Sequence, residues 1–242
     1  MAPLAAHGSS GKLWSMQRAH GVEVPETVAE MCRPDRAAVL VYDPQVGILA
    51  HVQDREGLVE RTRSVLDAAR VAGVPVLYVR HVSVPVTHMG VAALRTAMAW
   101  QRLDDPNKVV SPFPPDAPHA QIADELAPVA GEPVFDKLGM SAFVGTPLEA
   151  VLRDRGITTL LLVGAVLEIG IEPTARHAAD LGLLPVVVTD ACGVVEQPAA
   201  ERSLASLDYS LMSYRCTAEE AVTALLAGFP RGSGSDEIRD SP

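Results

Sequence analysis

Residues 158–178 read TTLLLVGAVLEIGIEPTARHA, and this stretch decides the fold class. Its first seven residues form a run of β-branched and apolar side chains, which is typical of a strand buried on both faces of a sheet. The second half predicts a helix, because Pro173 suits a first helical turn and Ala175, Ala178 and Ala179 share one face. A buried strand that runs directly into a helix is one half of a parallel β–α unit.

The same alternation continues along the chain on both sides of this unit. Glycines mark three helix ends, and a capping-box pattern at Thr217 and Glu220 predicts the start of a last helix. Such an alternation predicts an α/β domain in which helices cover both faces of a parallel sheet. Further strands are predicted at 37–43, 74–81, 133–137, 184–190 and 209–214, and helices at 56–72, 146–155, 173–182 and 198–208.

One domain accounts for most of the 242 residues. We predict an N-terminal arm over residues 1–34, the domain over residues 35–228, and a disordered tail rich in Gly, Ser and Pro over residues 229–242. The segment 82–118 is too long for a simple connection, and its spacing predicts a helix near 90–102. Because it follows a strand, we expect this segment to form a lid or pocket wall that carries Trp100.

Composition narrows the classes of partner. The net charge of −10 argues against nucleic acid or an anionic membrane as the main partner. Three cysteines at wide spacings form neither a disulfide framework nor a zinc site, which favours reduced thiols. The first residues lack the apolar run of a signal peptide, and no stretch reaches the roughly 18–20 apolar residues of a membrane span. We therefore expect a soluble, cytoplasmic protein that acts on a small molecule.

Polar residues follow several of the predicted strands at the point where each strand ends. In parallel sheets, ligands bind outside the carboxyl ends of the strands, so these residues are the first candidates for a site. No Gly-rich phosphate loop follows the first strand, and no histidine has a partner at metal-ligand spacing, so we expect no cofactor and no metal. The candidates are Asp43, Arg80 with His81, Asp136 with Lys137, the residues from Gly164 onward, and Asp190.

Four stretches together resemble the isochorismatase-like superfamily, to which many cysteine hydrolases belong. They are AVLVYDPQ (38–45), FDKLGMSAFVGTPLEAVLRDRGI (135–157), LLLVGAVLEIGIEPTARHAADLG (160–182) and PVVVTDACG (185–193). The resemblance extends over about residues 36–216, and its most specific part is the lysine followed by SAF and GT. It implies a Rossmann-like, three-layer α/β/α sandwich with a mainly parallel six-stranded sheet. It also implies a homo-oligomer, because oligomers are common in this superfamily.

Most members of the superfamily use an Asp–Lys–Cys triad, and this chain matches only part of it. The resemblance assigns the aspartate to Asp43 and the lysine to Lys137, but it places Gly170 where the cysteine would stand. The isochorismatases that cleave vinyl ethers also carry glycine at this position. This chain departs from them as well, because Val166 replaces their aromatic residue, and Leu167 replaces the threonine of the amidases. A cis peptide in the superfamily corresponds to the bond between Ala165 and Val166.

These departures leave three functions open. The first is a hydrolase without a nucleophilic cysteine, in which Asp43 acts as acid and base on a vinyl ether or another small metabolite, beside Lys137. The second is a ligand-binding relative without turnover. The third is an amidase whose cysteine has been replaced by Gly170. Cys192 follows a strand end, but a buried packing role is favoured over a substitute nucleophile.

Further residues are candidate substrate contacts. Gly170 either permits a tight backbone turn or leaves room for substrate beside Asp43, with helix N–H groups available to an anion. Arg80 is predicted either to bind an anion or to form a surface ion pair. The remaining candidate substrate contacts are Gln45, Trp100, Phe143, Val166 and Leu167.

Overall fold

The computed structural model describes residues 17–227. Its centre is a six-stranded sheet in the order β5-β4-β3-β6-β7-β8, and each neighbouring pair of strands is parallel. The strands of this sheet are β3 (Ala37–Tyr42), β4 (Val76–His81), β5 (Val134–Lys137), β6 (Thr159–Ala165), β7 (Leu184–Gly193) and β8 (Tyr214–Cys216).

Helices cover both faces of this sheet and make three layers. One face packs against α1 (Val28–Met31), α3 (Arg55–Ala72) and α8 (Ala218–Leu226), and the opposite face against α5 (Leu148–Asp154), α6 (Glu172–Asp180) and α7 (Gln197–Ser210). The short helix α2 (Val46–Leu49) follows β3, and α4 (Val91–Gln101) lies in the long segment after β4. The predicted three-layer α/β/α fold with a parallel sheet is confirmed.

The order in which strands are added to the sheet reverses beside β3. From β3 the chain proceeds outward to β4 and β5, and it then returns to the other side of β3 with β6. Such a switch point leaves a crevice between neighbouring connections at the carboxyl ends of the strands. At that end, Tyr42 of β3 pairs with Gly164 of β6, and His81 of β4 pairs with Lys137 of β5.

Five of the six predicted strands lie where the sequence places them, and the sixth prediction was wrong. Residues 209–210 end α7, and the last strand comprises Tyr214–Cys216. The prediction was misled by the apolar residues of this stretch, whose side chains are not buried. Tyr209 is 92% exposed, and Leu211 adopts the left-handed conformation that ends the helix.

The sequence signals for the ends of the helices are confirmed. Gly73 ends α3 with a positive φ of 72°, and Thr217 forms a capping box with Glu220 at the start of α8. The helix predicted near 90–102 is α4, and the rest of segment 82–118 contains short 3₁₀ turns at Val86–His88 and Pro106–Lys108.

The N-terminal segment contains two small elements. Strands β1 (Gln17–Ala19) and β2 (Val22–Val24) form an antiparallel hairpin, and α1 follows with its own capping box at Thr27. The predicted tail at residues 229–242 lies outside the described residues, as do the first 16 residues of the predicted arm. No helix within residues 17–227 has the length and apolar character that a membrane span needs.

Candidate active site

The centre of the candidate site is a buried ion pair between Asp43 and Lys137. Asp43 follows the last residue of β3, and Lys137 ends β5, 94 residues later in the chain. The lysine Nζ lies 2.8 Å from Oδ2 of Asp43 and donates a second hydrogen bond to the carbonyl of Gly139 at 3.2 Å. Asp43 is only 4% exposed and Lys137 only 1%. The fold thus brings together the two residues that the sequence singled out.

The protonation of this pair is controlled by its burial. Burial raises the pKa of Asp43 to about 6, and this effect exceeds the opposing attraction of the Lys137 ammonium. Burial likewise lowers the pKa of Lys137, against the stabilising charge of Asp43. The second carboxylate oxygen, Oδ1 of Asp43, is buried and has no hydrogen-bond partner among the described residues. A carboxyl group in this state exchanges a proton near neutral pH and has an oxygen free to do so.

Gly170 lies against Tyr42, the residue whose ring contacts Lys137, and the space beside the glycine is filled. A Cβ atom on residue 170 would come closer than 3.0 Å to the hydroxyl and ring of Tyr42. The Tyr42 hydroxyl donates a hydrogen bond to the carbonyl of Met140, and Lys137 Nζ lies 4.3 Å from the centre of the Tyr42 ring. The idea that the missing side chain leaves room for substrate was therefore wrong, because Tyr42 occupies that volume.

The turn that carries Gly170 is built from backbone contacts. The bond between Ala165 and Val166 is cis, as the resemblance implied. One turn of π-helix over Leu167–Ile171 then leads into α6. The N–H groups of Gly170 and Ile171 both donate to the Val166 carbonyl, at 3.0 and 3.1 Å. These two groups are engaged, so they are not available to an anion in this conformation.

Gln45 holds neighbouring backbone in place. Its side-chain nitrogen donates to the carbonyls of His81 at 2.9 Å and Ala120 at 2.7 Å, and its oxygen accepts the His81 N–H at 2.7 Å. The residue is fully buried. Since both donors are used and the oxygen is engaged, Gln45 clamps the end of β4 to the loop before β5; a direct contact of Gln45 with substrate stays a prediction.

Arg80 forms the ion pair that the sequence left as one of two alternatives. Its guanidinium makes two hydrogen bonds to Asp136, at 2.7 and 2.9 Å, and a third to the Gln121 oxygen at 2.9 Å. Arg80 and Asp136 also line a cleft of about 620 Å³ that includes Pro147. This cleft contains neither Asp43 nor Lys137, so its size alone does not make it the reactive site, because it lacks the proton-exchanging pair.

The other predicted substrate contacts lie in different surroundings. Phe143, Val166 and Leu167 are buried, and the Phe143 ring packs at a tilt against His177 with 5.3 Å between ring centres. Trp100 lies on α4 and is 48% exposed. For these residues the structure gives a position, and their roles toward a substrate stay predictions.

His81 was among the candidates predicted at the strand ends, without a role of its own, and it lies beside Lys137. It is paired in register with Lys137, and its ring meets the edge of the Phe113 ring with 5.5 Å between centres. Burial and the Lys137 charge lower the pKa of His81 to about 4, so its imidazole is neutral at ordinary pH. Strand alternation places residue 81 on the same face as the buried residues 77 and 79, which is the sequence signal for an inward-facing side chain.

The cysteines do not supply a replacement nucleophile. All three are buried, and burial raises the pKa of Cys32 and Cys216 to about 12 and that of Cys192 further. Cys192 donates its thiol proton to the carbonyl of Leu162 at 3.4 Å, within the sheet. A neutral, buried thiol is inert, since the thiolate is the reactive form.

Glu168 has a role in the loop before α7. One of its carboxylate oxygens accepts the N–H groups of Val195 and Glu196, at 2.9 and 2.7 Å.

Between residues 17 and 227, no group of three or more histidines, cysteines and carboxylates is placed to hold a metal ion.

Comparison with known proteins identifies relatives of this chain. The isochorismatase domain model matches residues 37–220. N-carbamoylsarcosine amidase from Arthrobacter sp. is 30% identical over 138 residues, which cover 57% of this chain and 50% of that protein. The uncharacterized isochorismatase family protein YwoC of Bacillus subtilis is 36% identical over 85 residues, 35% of this chain and 45% of its own length. The chain thus spans about half the length of these curated relatives.

A solved structure extends the likeness over nearly the whole domain. The isochorismatase family protein from Desulfovibrio vulgaris superimposes with a TM-score of 0.65 at 28% identity, and the match covers 79% of this chain and 98% of that one.

Proposed function

Because the chain belongs to the isochorismatase family, we propose that it is a cofactor-independent hydrolase of a small metabolite in which Asp43 gives and takes the proton. One observation carries this proposal. Asp43 is buried against Lys137, has its pKa raised to about 6, and keeps one carboxylate oxygen without a partner. An acid works best when its pKa lies near the working pH, and this carboxyl meets that condition.

Vinyl ether cleavage is the reaction that suits such a carboxyl group. Neutral Asp43 transfers its proton to the terminal enol carbon, a C–H bond forms, and the electrons of the double bond leave an oxocarbenium ion. Water adds to that ion and returns one proton to Asp43, which gives a hemiketal. As the ether C–O bond of the hemiketal breaks, its hydroxyl proton passes to the departing oxygen, and the products are a carbonyl compound and an alcohol. Lys137, 2.8 Å from Asp43, stabilises the carboxylate that exists between the two proton transfers.

Amide hydrolysis fits the described residues less well. An acyl-enzyme requires a thiolate or another activated nucleophile, but residue 170 is glycine and the three native thiols are buried and neutral. The close fit of Tyr42 to Gly170 also argues against a simple loss of a cysteine side chain. N-carbamoylsarcosine amidase is a relative by sequence, and its activity is not the one we propose for this chain.

A ligand-binding relative without turnover is the second candidate. It is favoured by the near-complete burial of Asp43 and Lys137 beneath Tyr42, which leaves the pair closed to solvent in this conformation. The two candidates make opposite predictions about catalysis, so one set of measurements separates them.

The experiment measures turnover of isochorismate and of a panel of small amides, with and without iodoacetamide. Under our proposal, activity survives alkylation and falls at least 100-fold in Asp43→Asn, since the amide has no acidic proton to donate at neutral pH. Asp67→Asn is the matched control, because it makes the same chemical change on an exposed carboxylate of α3. Activity that iodoacetamide abolishes would refute the proposal, and binding without any turnover would establish the second candidate.

A further inference from the structure

Tyr42 and Gly170 fit together as one unit at the centre of the candidate site. Tyr42 ends the central strand β3, and Gly170 lies in the π-helical turn before α6. Both are buried, and no side chain larger than hydrogen fits at residue 170 while the Tyr42 ring stays in place. The tyrosine in turn requires the glycine, because a Cβ atom would overlap its hydroxyl and two ring carbons.

We propose that Tyr42 takes the place of a nucleophile's side chain in this site, so that positions 42 and 170 together determine the class of reaction that the site performs. The inference rests on the proposed function for the chemistry that remains, which is proton transfer at Asp43. It adds that covalent catalysis at residue 170 is excluded by the shape of the site and not only by the absence of a sulfur atom.

The contacts of Lys137 support this assignment. Its ammonium group has three partners: the carboxylate of Asp43 at 2.8 Å, the carbonyl of Gly139 at 3.2 Å, and the face of the Tyr42 ring at 4.3 Å. Aromatic faces attract cations, and the attraction is strongest where water is excluded. Tyr42 therefore fills the volume beside residue 170 and also partners the lysine there.

The phenol of Tyr42 does not itself become the nucleophile. Its hydroxyl donates to the Met140 carbonyl, which fixes the proton on the phenol oxygen. Burial and the nearby Asp43 charge raise the pKa of Tyr42 well above its usual range, so the phenolate is not formed at ordinary pH. Tyr42 therefore stays neutral and only fills the volume beside Gly170, which leaves Asp43 as the reactive group.

The proposal is tested with thiols introduced at residue 170. Gly170→Cys is compared with the double variant Tyr42→Val, Gly170→Cys, and alkylation of the residue-170 peptide by iodoacetamide is followed by mass spectrometry. We expect the residue-170 thiol of the double variant to react at least tenfold faster than that of Gly170→Cys and than the three native thiols, because the Tyr42 ring no longer fills the space around it. Its rate should be half-maximal below about pH 8.5, since Lys137, which contacts that ring, is then left to stabilise the thiolate. Equal labelling rates and equal melting temperatures for the single and double variants would overturn the proposal.

A second measurement keeps the test informative if Gly170→Cys does not fold. Gly170→Ala should lower the melting temperature when Tyr42 is present, and should cost at most a small fraction of that shift in the Tyr42→Val background. Gly139→Ala is the control, because its Cβ would meet its nearest neighbour at an ordinary 3.4 Å. An equal loss from Gly170→Ala in both backgrounds would refute the inference. Neither readout uses a substrate, so absence of turnover would refute the proposed function and leave this inference standing.

Discussion

Replacing Lys137 with methionine tests the electrostatics of the site most directly. The change keeps a long apolar side chain but removes the ammonium that lies 2.8 Å from Asp43. Removing one member of a buried ion pair typically costs about 3–5 kcal/mol, because the remaining charge is left without compensation. Asp43 can avoid that cost by binding a proton, so the loss of stability should depend on pH.

The size of this dependence follows from the pKa of Asp43. In the wild type the folded pKa is about 6, against an ordinary value of 3.8, so the carboxyl favours its protonated form in the folded state. The Asp43 carboxyl makes its full contribution to the unfolding free energy below about pH 4, and this contribution is lost as the pH rises through about 6. Without Lys137 the folded pKa rises further, and the loss continues above pH 6 at about 1.4 kcal/mol per pH unit.

The variant and the wild type should therefore diverge with pH. At pH 5 Asp43 is mostly neutral in both folded proteins, so the ionisation of this group adds little to the difference between them. Between pH 6 and pH 8 the difference in unfolding free energy should grow by about 2 kcal/mol, since the wild type itself loses only a few tenths of a kcal/mol over this range. The measurement is urea denaturation followed by circular dichroism at pH 5, 6, 7 and 8.

A double variant provides the control. Asp43→Asn together with Lys137→Met removes both charges, and its unfolding free energy should follow the wild-type slope above pH 6 without the added loss. A Lys137→Met protein that loses the same free energy at every pH would refute the reasoning, because it would show that Asp43 does not take up a proton in response.

Three further outcomes are expected from other contacts. Gln45→Leu leaves the backbone of His81 and the carbonyl of Ala120 without partners, and it should lower the unfolding free energy by about 2–4 kcal/mol in urea denaturation. A loss below about 0.5 kcal/mol would show that water replaces the hydrogen bonds of Gln45. Thr217→Ala removes the cap of α8 and should cost about 1 kcal/mol, with the exposed Thr87→Ala as a neutral comparison. The native thiols should react with iodoacetamide at pH 7 only as fast as the protein unfolds, and rapid labelling without denaturant would contradict their burial.

The sequence predicted the sheet well because buried parallel strands leave an unmistakable apolar run. The stretch 158–164 carries four consecutive apolar residues after two β-branched threonines, and it became most of β6 at the centre of the domain. The stretch 209–214 has a similar composition, but Tyr209 and Leu211 face solvent at the end of a helix. A letter pattern records which residues are apolar, and burial depends on what packs against them.

The candidate site was predictable in part for the same kind of reason. Asp43 follows β3 and Lys137 ends β5, and the carboxyl ends of parallel strands meet at one edge of a sheet. The family resemblance then singled out this pair among the residues at that edge. Tyr42 could not be recognised, since it reads as the last apolar residue of a strand and its contact with Gly170 crosses 128 positions of the chain. Arg80 remained ambiguous because its partner, Asp136, becomes visible only once the register of β4 and β5 is known.

The outermost position of β5 has a consequence for the charge of the site. This strand has four residues and is bonded to the sheet along one side only, through β4, yet it supplies the only cation that touches Asp43 within residues 17–227. Parts of a structure that few contacts hold in place open at a lower free energy than its core. Detachment of β5 would take the ammonium away, and the Asp43 carboxyl would then favour its protonated form. A molecule that binds along the free side of β5 would hold this strand in place, and it would therefore lower the pKa of Asp43 from a distance.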